Sequence, residues 1–433
     1  MPNPMAKKPD PSRIPVPTWL LLGSLYTTQY LGLGFLVVAL VAILRDEGAP
    51  LDQVGLVFLL GMVWPLKFLW APLIDRVRFG RLGHYRVWLL LMQGALVAVL
   101  FAMGFFHPAR QFEAVYALAL LLALFSATQD IAVDGMACRL LSSEARGPAN
   151  GLQIAGGLLG NMLGGGVVLM AYPTLGWQIA LFILAGCTMI SFVQLLLFRE
   201  PVWEVAPTSE ARLLRSIARF WKRPGGPYWL FVVALYCLGA SLTYGVLVPF
   251  LVDRGWDMER IGLEVNILGS LLAIASALLT GSIIRRMDRG KALIGGAIVQ
   301  FVAIAAIALP VVGFLGDVGL TVACCFYFLF YPPAATILAT TMMDHTSFER
   351  PATDYTFQSS LNILFAIASM SAAAALADLK GYPTVLMVAL SFAGFAIVLA
   401  FRYRPISLHD SKIGLLQKTE IKTHADSNSG LTR

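Results

Sequence analysis

The apolar positions of this chain neither alternate nor keep to one helical face; they run on. Stretches near the roughly 20 residues that cross a bilayer as a helix fall at 18–44, 54–74, 86–106, 114–136, 148–170 and 177–198. Six more fall at 228–252, 261–283, 292–313, 318–343, 358–378 and 384–401. The pattern predicts an all-α membrane protein of twelve spanning helices, with six-helix halves at 18–198 and 228–401. An N-tail (1–17), a polar linker (199–227) and a tail (402–433) complete it. In the linker, "SEARLLRSIARFWKR" puts Leu213, Leu214, Ile217, Phe220 and Trp221 on one face and Arg212, Arg215, Arg219 and Lys222 on others. It reads as an amphipathic helix lying along the membrane interface. The polar tail reads as disordered.

Charge then orients the segments. With the N-terminus inside, 26 of the 32 Lys and Arg residues fall on the inner side and five on the outer. The positive-inside rule places both termini in the cytoplasm. The net charge of +7 is therefore a topological signal, and no nucleic-acid partner is expected. Composition agrees, with 13% charged residues against about a quarter in soluble chains. The five cysteines sit in or beside apolar segments without a CxxC pair and read as packing residues. The histidines are scattered and no nucleophile–base set is visible, so no enzyme, metal site or cofactor is expected. "MPNPMAKKPDPSRIPVP" is too polar for a cleavable signal peptide.

Charges within the apolar segments carry the candidate chemistry. Lys67 lies two turns inside the second segment, where a central lysine costs roughly 2.5–3.5 kcal/mol. It either snorkels to the interface or faces the bundle with a partner. In "SATQDIAVDGMACRLL", Asp130 and Asp134 are i and i+4 and share a face near the inner end of the fourth segment. Carboxylates that close repel unless a cation joins them, and Lys67 is the candidate. With Gln129 these residues read as an inner-gate network, either a register-fixing ion pair or a proton-exchange site at Asp130. Asp75 and Arg76, in "FLWAPLIDRVRFGR", stand at the cytoplasmic mouth. They read as a latch that pairs with arginines or caps a neighbouring helix, or as topogenic charge alone.

The halves also repeat. "SSEARGPANGLQ" and "SFERPATDYTFQ" each place a Glu nine residues before a Gln (Glu144/Gln153, Glu349/Gln358), and "IDRVRFGR" has a counterpart in "IIRRMDRGK". Glu144, Arg146, Glu349 and Arg350 join the gate set. Gly156, Gly160 and Gly164 permit close helix approach in a segment that rocks; no strand or GKS/GKT accompanies them, so they form no nucleotide loop. Cavity candidates are Tyr26, Gln29, Gln153 and Asn161 in the first half, and Tyr236, Tyr244, Gln358 and Asn362 in the second. Gln153 and Asn161 serve equally as interhelical hydrogen-bonders. Glu264, about one turn from the outer face, reads as an interface residue. Pro332 and Pro333 break the tenth segment, and the break must line a cavity or be covered by protein.

Two sets of six segments in parallel repeat resemble the architecture of the major facilitator superfamily. "KFLWAPLIDR" and "SATQDIAVDG" are similar to its muropeptide-permease (AmpG-like) branch, which also takes in acetyl-coenzyme A transporters and siderophore permeases of the RhtX/FptX/YbtX type. Within the branch, "DGMACRLL", "ERPATDYTFQ" and the count of twelve segments resemble the siderophore permeases most. The resemblance implies a bacterial inner-membrane carrier that imports an iron-siderophore complex without ATP. The residues read as a monomer that alternates access by rocking about a cavity between the halves, with proton coupling at Asp130. The alternatives are import of muropeptides for wall recycling and export of a siderophore-like molecule. A siderophore wraps its own iron, so the carrier needs no metal ligands.

Overall fold

The computed structural model describes residues 14–77, 79, 83–201, 221–314 and 316–403. The tail expectations and the proposed amphipathic helix up to Phe220 lie outside the described residues. Hydrocarbon offers the backbone no hydrogen bonds, so a spanning chain satisfies them within helices. Among the described residues, eleven stretches are long and apolar enough to cross a membrane. One of them, Ser143–Leu197, has 55 residues, roughly 80 Å at 1.5 Å per residue, far more than one crossing. It turns at Gly176, whose φ of 72° lies where only glycine is comfortable. The crossings are therefore α1 (Val16–Asp46), α2 (Leu51–Leu69), α3 (His84–Met103), α4 (Phe112–Leu140), α5 (143–175) and α6 (177–197). They continue as α7 (Gly226–Asp253), α8 (Glu259–Arg286), α9 (Arg289–Val311), α10 (Asp317–Asp344), α11 (Pro351–Lys380) and α12 (Tyr382–Arg402).

Boundaries differ from the sequence reading where helix ends are polar. Helix α4 runs on to Leu140, α5 begins at Ser143 and α11 at Pro351. "SSEARGPANGLQ" and most of "SFERPATDYTFQ" are thus helical turns rather than connections. Their polar side chains face groups of other helices, so an apolar-run criterion cuts these helices short. The double proline does break α10, which resumes at Pro332 after Tyr331.

The buried core shows how the two sets of six helices meet. At the end holding the starts of α3, α5, α7 and α11, a single core runs across both sets, from Leu21, Ala71, Tyr85 and Ala149 to Trp229, Ile284, Met343 and Tyr355. Towards the other end, one core belongs to α1–α6. A separate one belongs to α7–α12, with only Leu158 packed on it from the first set. The molecule is shut at one end and divided at the other. Each set carries a matching clip at the divided end: Tyr172 donates to Glu47 (2.7 Å) and Tyr382 to Asp253 (2.5 Å). Both tyrosines open a Tyr-Pro-Thr triplet.

Glycine packing divides by position along α5. A Cβ at Gly156 would meet Tyr26 at 3.0 Å, and Gly160 and Gly164 lie on the backbone of Thr27 and Leu31. The predicted glycine stripe therefore seats α5 on α1, inside one set. The crossing between sets uses Gly147 and Gly151, where a Cβ would meet the carbonyl oxygens of Gly281 (2.7 Å) and Ala277 (2.6 Å) of α8.

Candidate functional site: a polar junction and a cavity in the second helical set

At the shut end, Asp75 reaches from the first helical set to the start of α11. Its carboxylate accepts from the backbone N–H groups of Ala352 (3.3 Å) and Thr353 (2.7 Å), from the Thr353 hydroxyl (2.7 Å) and from the Tyr85 phenol (2.8 Å). Helix α11 brings no capping side chain of its own, so Asp75 satisfies N–H groups that a helix start leaves open. The negative charge also lies at the positive end of the helix dipole. Asp75 thus caps a neighbouring helix, and the charge of Arg139 also reaches it.

Around it runs a belt of ion pairs. Asp344, at the end of α10, binds Arg146 of α5 (2.8 Å) and Arg289 of α9 (2.6 Å). Arg289 also donates to the Ser143 carbonyl (2.8 Å). Arg139, ending α4, donates to the carbonyls of Phe348 and Glu349 (both 3.3 Å). Arg223, where the linker rejoins the helices, binds Asp354 (2.8 Å) and the His345 carbonyl (3.0 Å). His345 lies flat on Trp229, with ring centroids 4.2 Å apart. Burial pushes its imidazole down to about 4.

Deeper in, Lys67 pairs with Asp130 as its position required, and both are buried. Asp134 stands close enough to feel the Lys67 charge but makes its hydrogen bonds elsewhere. It accepts from Tyr26 of α1 (3.3 Å) and Gln153 of α5 (2.9 Å). The Gln153 oxygen accepts from Tyr355 of α11 (3.1 Å). This chain crosses between the sets, so Tyr26 and Gln153, expected in the cavity, lie in the polar network at the shut end. The Asp134 Oδ2 has no partner among the described residues.

Several expectations are corrected. Gln129 is wholly buried and binds the Leu25 carbonyl (3.0 Å) and Thr28 (3.3 Å), tying α4 to α1. Glu144 is exposed, 3.7 Å from Arg285, a pair worth little in water. The Glu349 side chain is exposed and contributes through its carbonyl. Arg76 is exposed, and Arg350 occupies the N-cap position of α11. Tyr236 donates to Leu293 (2.6 Å) and Gln358 accepts from Trp229 (2.5 Å), both buried within the second set. Gln29 is buried with both amide atoms unpartnered among the described residues, and Asn161 is exposed. Glu264 stays at the outer end, paired with Arg260 (2.8 Å), which also holds Asp317 (2.7 Å). Only Tyr244 and Asn362 of the cavity candidates line the cavity found, about 240 Å³ between α7, α9, α10 and α11.

Sequence reasoning missed Asp344, Asp354, Tyr355, Arg289 and the Gly147/Gly151 crossing. Asp344 carried a faint signal, an acid where one inner end gathers arginines. The paired Tyr-Pro-Thr triplets announced the outer clips outright.

Twelve helices joined through a polar network at one end and parted at the other, with a cavity among α7, α9, α10 and α11, are the arrangement of a membrane carrier. The family model described as Major Facilitator Superfamily matches residues 22–362, and the chain belongs to that superfamily. The anhydromuropeptide permease of Escherichia coli (strain K12) is 32% identical over 258 residues, covering 59% of this chain and 52% of that protein. An uncharacterized protein of Haemophilus influenzae is 31% identical over 268 residues, covering 60% and 63%. The putative transporter AmpG 4 of Rickettsia conorii is 25% identical over 269 residues, covering 59% and 65%. The aligned part thus spans about half to two thirds of these relatives. Among solved structures, the E. coli fucose:proton symporter FucP superposes with a TM-score of 0.68 at 11% identity, covering 90% of this chain and 99% of that one. A bacterial homologue of the iron transporter ferroportin gives 0.67 at 16%, with the same coverage. At such identities the likeness is one of fold. The resemblance to AmpG-like proteins stands; a resemblance to siderophore permeases finds no support among these relatives.

Proposed function

We propose that this protein is a secondary transporter that imports a muropeptide-like solute by alternating access, with its shut end facing the cytoplasm. The observation that carries the solute is the 32% identity to the anhydromuropeptide permease. The core that is continuous at one end and divided at the other supports the alternating-access half of the reading. The Lys- and Arg-rich loops lie at the shut end, and the positive-inside rule assigns that end to the cytoplasm. Iron-siderophore cargo, which the sequence favoured, rests now on motif resemblance alone and gives way to the muropeptide.

Asp130 with Lys67 is the site we assign to proton exchange. An ion pair buried between α2 and α4 is costly in hydrocarbon, and protonating the carboxylate releases the lysine. Uptake of radiolabelled anhydromuropeptide is measured in cells lacking their own permease, with and without this gene. Gene-dependent uptake abolished by uncouplers is expected, and Asp130→Asn should remove both uptake and its uncoupler sensitivity. Absence of muropeptide uptake, with gene-dependent accumulation of iron from a ferric siderophore, would overturn the muropeptide reading.

A further inference from the structure

The cavity in the second set of helices has a chemistry that the rest of the site lacks. Among the described residues that line it there is no Asp, Glu, Lys, Arg or His. Several of its polar groups have their donors committed, while the Tyr244 and Tyr331 hydroxyls bond to no described group. Gln300 is wholly buried, and its Nε2 donates to the Tyr236 carbonyl (2.9 Å), which fixes the amide's orientation. Its Oε1 has no hydrogen-bond partner among the described residues. Asn362 repeats the pattern, with Nδ2 on the Val233 carbonyl (3.0 Å). The Tyr327 hydroxyl donates to the Ala240 carbonyl (2.8 Å). What the cavity offers a ligand is therefore amide oxygen acceptors, two phenol hydroxyls and aromatic faces, the Tyr327 and Tyr331 rings lying near-parallel 5.1 Å apart. The break before Pro332 presents Tyr331 and Ala335 to this space, as an interrupted helix in a membrane must.

A buried acceptor left empty is unfavourable, so the fitting occupant carries hydrogen-bond donors. With no cation in the wall, carboxylates are not favoured there. An uncharged ring with N–H and O–H groups at its rim and C–H bonds on its face matches all three properties. At about 240 Å³ the space is below the ~300–1,000 Å³ of sites for drug-sized ligands, and takes one ring rather than a whole muropeptide.

We propose that this cavity seats a neutral amido-sugar ring of the transported solute, with Gln300 and Asn362 accepting its donors and the tyrosines packing on its face. The inference rests on the muropeptide reading and adds which half of the carrier reads the saccharide. The ionic end of the solute is then left to the first set of helices.

The test is calorimetric binding to the purified full-length protein with two probes, an anhydrodisaccharide-tripeptide and the same tripeptide without sugar. The wild type should bind the sugar-bearing probe at least tenfold more tightly. Ala335→Phe, which fills the cavity, and Gln300→Leu, which deletes the acceptor, should each erase that advantage while weak tripeptide binding persists. Monodispersity and an unchanged thermal midpoint of Ala335→Phe show that it folds, and agreement between two different substitutions excludes a local accident. Wild-type affinity for the sugar-bearing probe in both variants overturns the cavity assignment and leaves the proposed function standing. No binding of that probe by the wild type overturns the proposed function, and the sugar seat with it.

Discussion

Removing the Asp75 carboxylate should unlatch the shut end. In Asp75→Ala, the Ala352 and Thr353 N–H groups and the Thr353 hydroxyl lose an acceptor supplied by the other helical set. The Tyr85 bond lies within the first set and persists in both conformations, so it does not count towards the difference. Hydrogen bonds to a charged group are each worth about 1.5–3 kcal/mol, but on opening both sides regain water. The net effect is closer to a buried helix cap with its dipole, about 2 kcal/mol. That corresponds to roughly a thirtyfold rise in the open fraction. Asp75→Asn keeps one oxygen and should give only about a fivefold rise, or 1 kcal/mol. Cys138, 6% exposed in the continuous core at this gate, reports the opening. In protein whose Cys187, Cys237, Cys324 and Cys325 are replaced by Ser or Ala, its alkylation by a charged maleimide should accelerate by those factors. A rate unchanged in Asp75→Ala, with the thermal midpoint preserved, would refute the reasoning.

Lys67→Met strands the Asp130 charge in the bundle and should cost 3–5 kcal/mol, seen as a large fall in thermal midpoint. Adding Asp130→Leu should restore most of the midpoint without restoring transport; if the single variant is as stable as wild type, the pair is not buried as described. Gly151→Val places side-chain carbon against the Ala277 carbonyl and should pry α5 from α8, accelerating Cys138 alkylation even with Asp75 intact. His345 sets a pH dependence. Its folded pKa of about 4 lies below the unfolded 6.5, so its stabilisation is full above pH 6.5 and is lost as pH falls towards 4. At pH 5 the loss is about 2 kcal/mol. His345→Phe, which keeps a ring on Trp229, should flatten that part of the midpoint–pH curve; an unchanged curve would show that the imidazole titrates normally.

The number of crossings was legible because each needs its own run of apolar residues, whatever it packs against. The same is true of Lys67 and Asp130, since a charge in hydrocarbon must find an opposite charge and few are on offer. Asp75 was legible as a latch with two kinds of partner, and only the placement of the α11 start showed the cap. Where polar helix ends face one another, hydropathy misplaced the boundaries, as at Ser143 and Pro351. The glycines of α5 were legible as a stripe, yet Gly156 and Gly147 look alike in sequence and pack against different halves of the molecule. Tyr236 and Tyr244 are likewise two tyrosines eight residues apart on one helix, one sealed in the bundle and the other at the cavity. The sequence by itself determined what had to be buried and how often the chain crosses, because those follow from transfer out of water, a property of each segment. The tertiary structure decided which groups meet across the gate and which acceptors stay empty in the cavity, because those depend on the relative placement of helices that are distant along the chain.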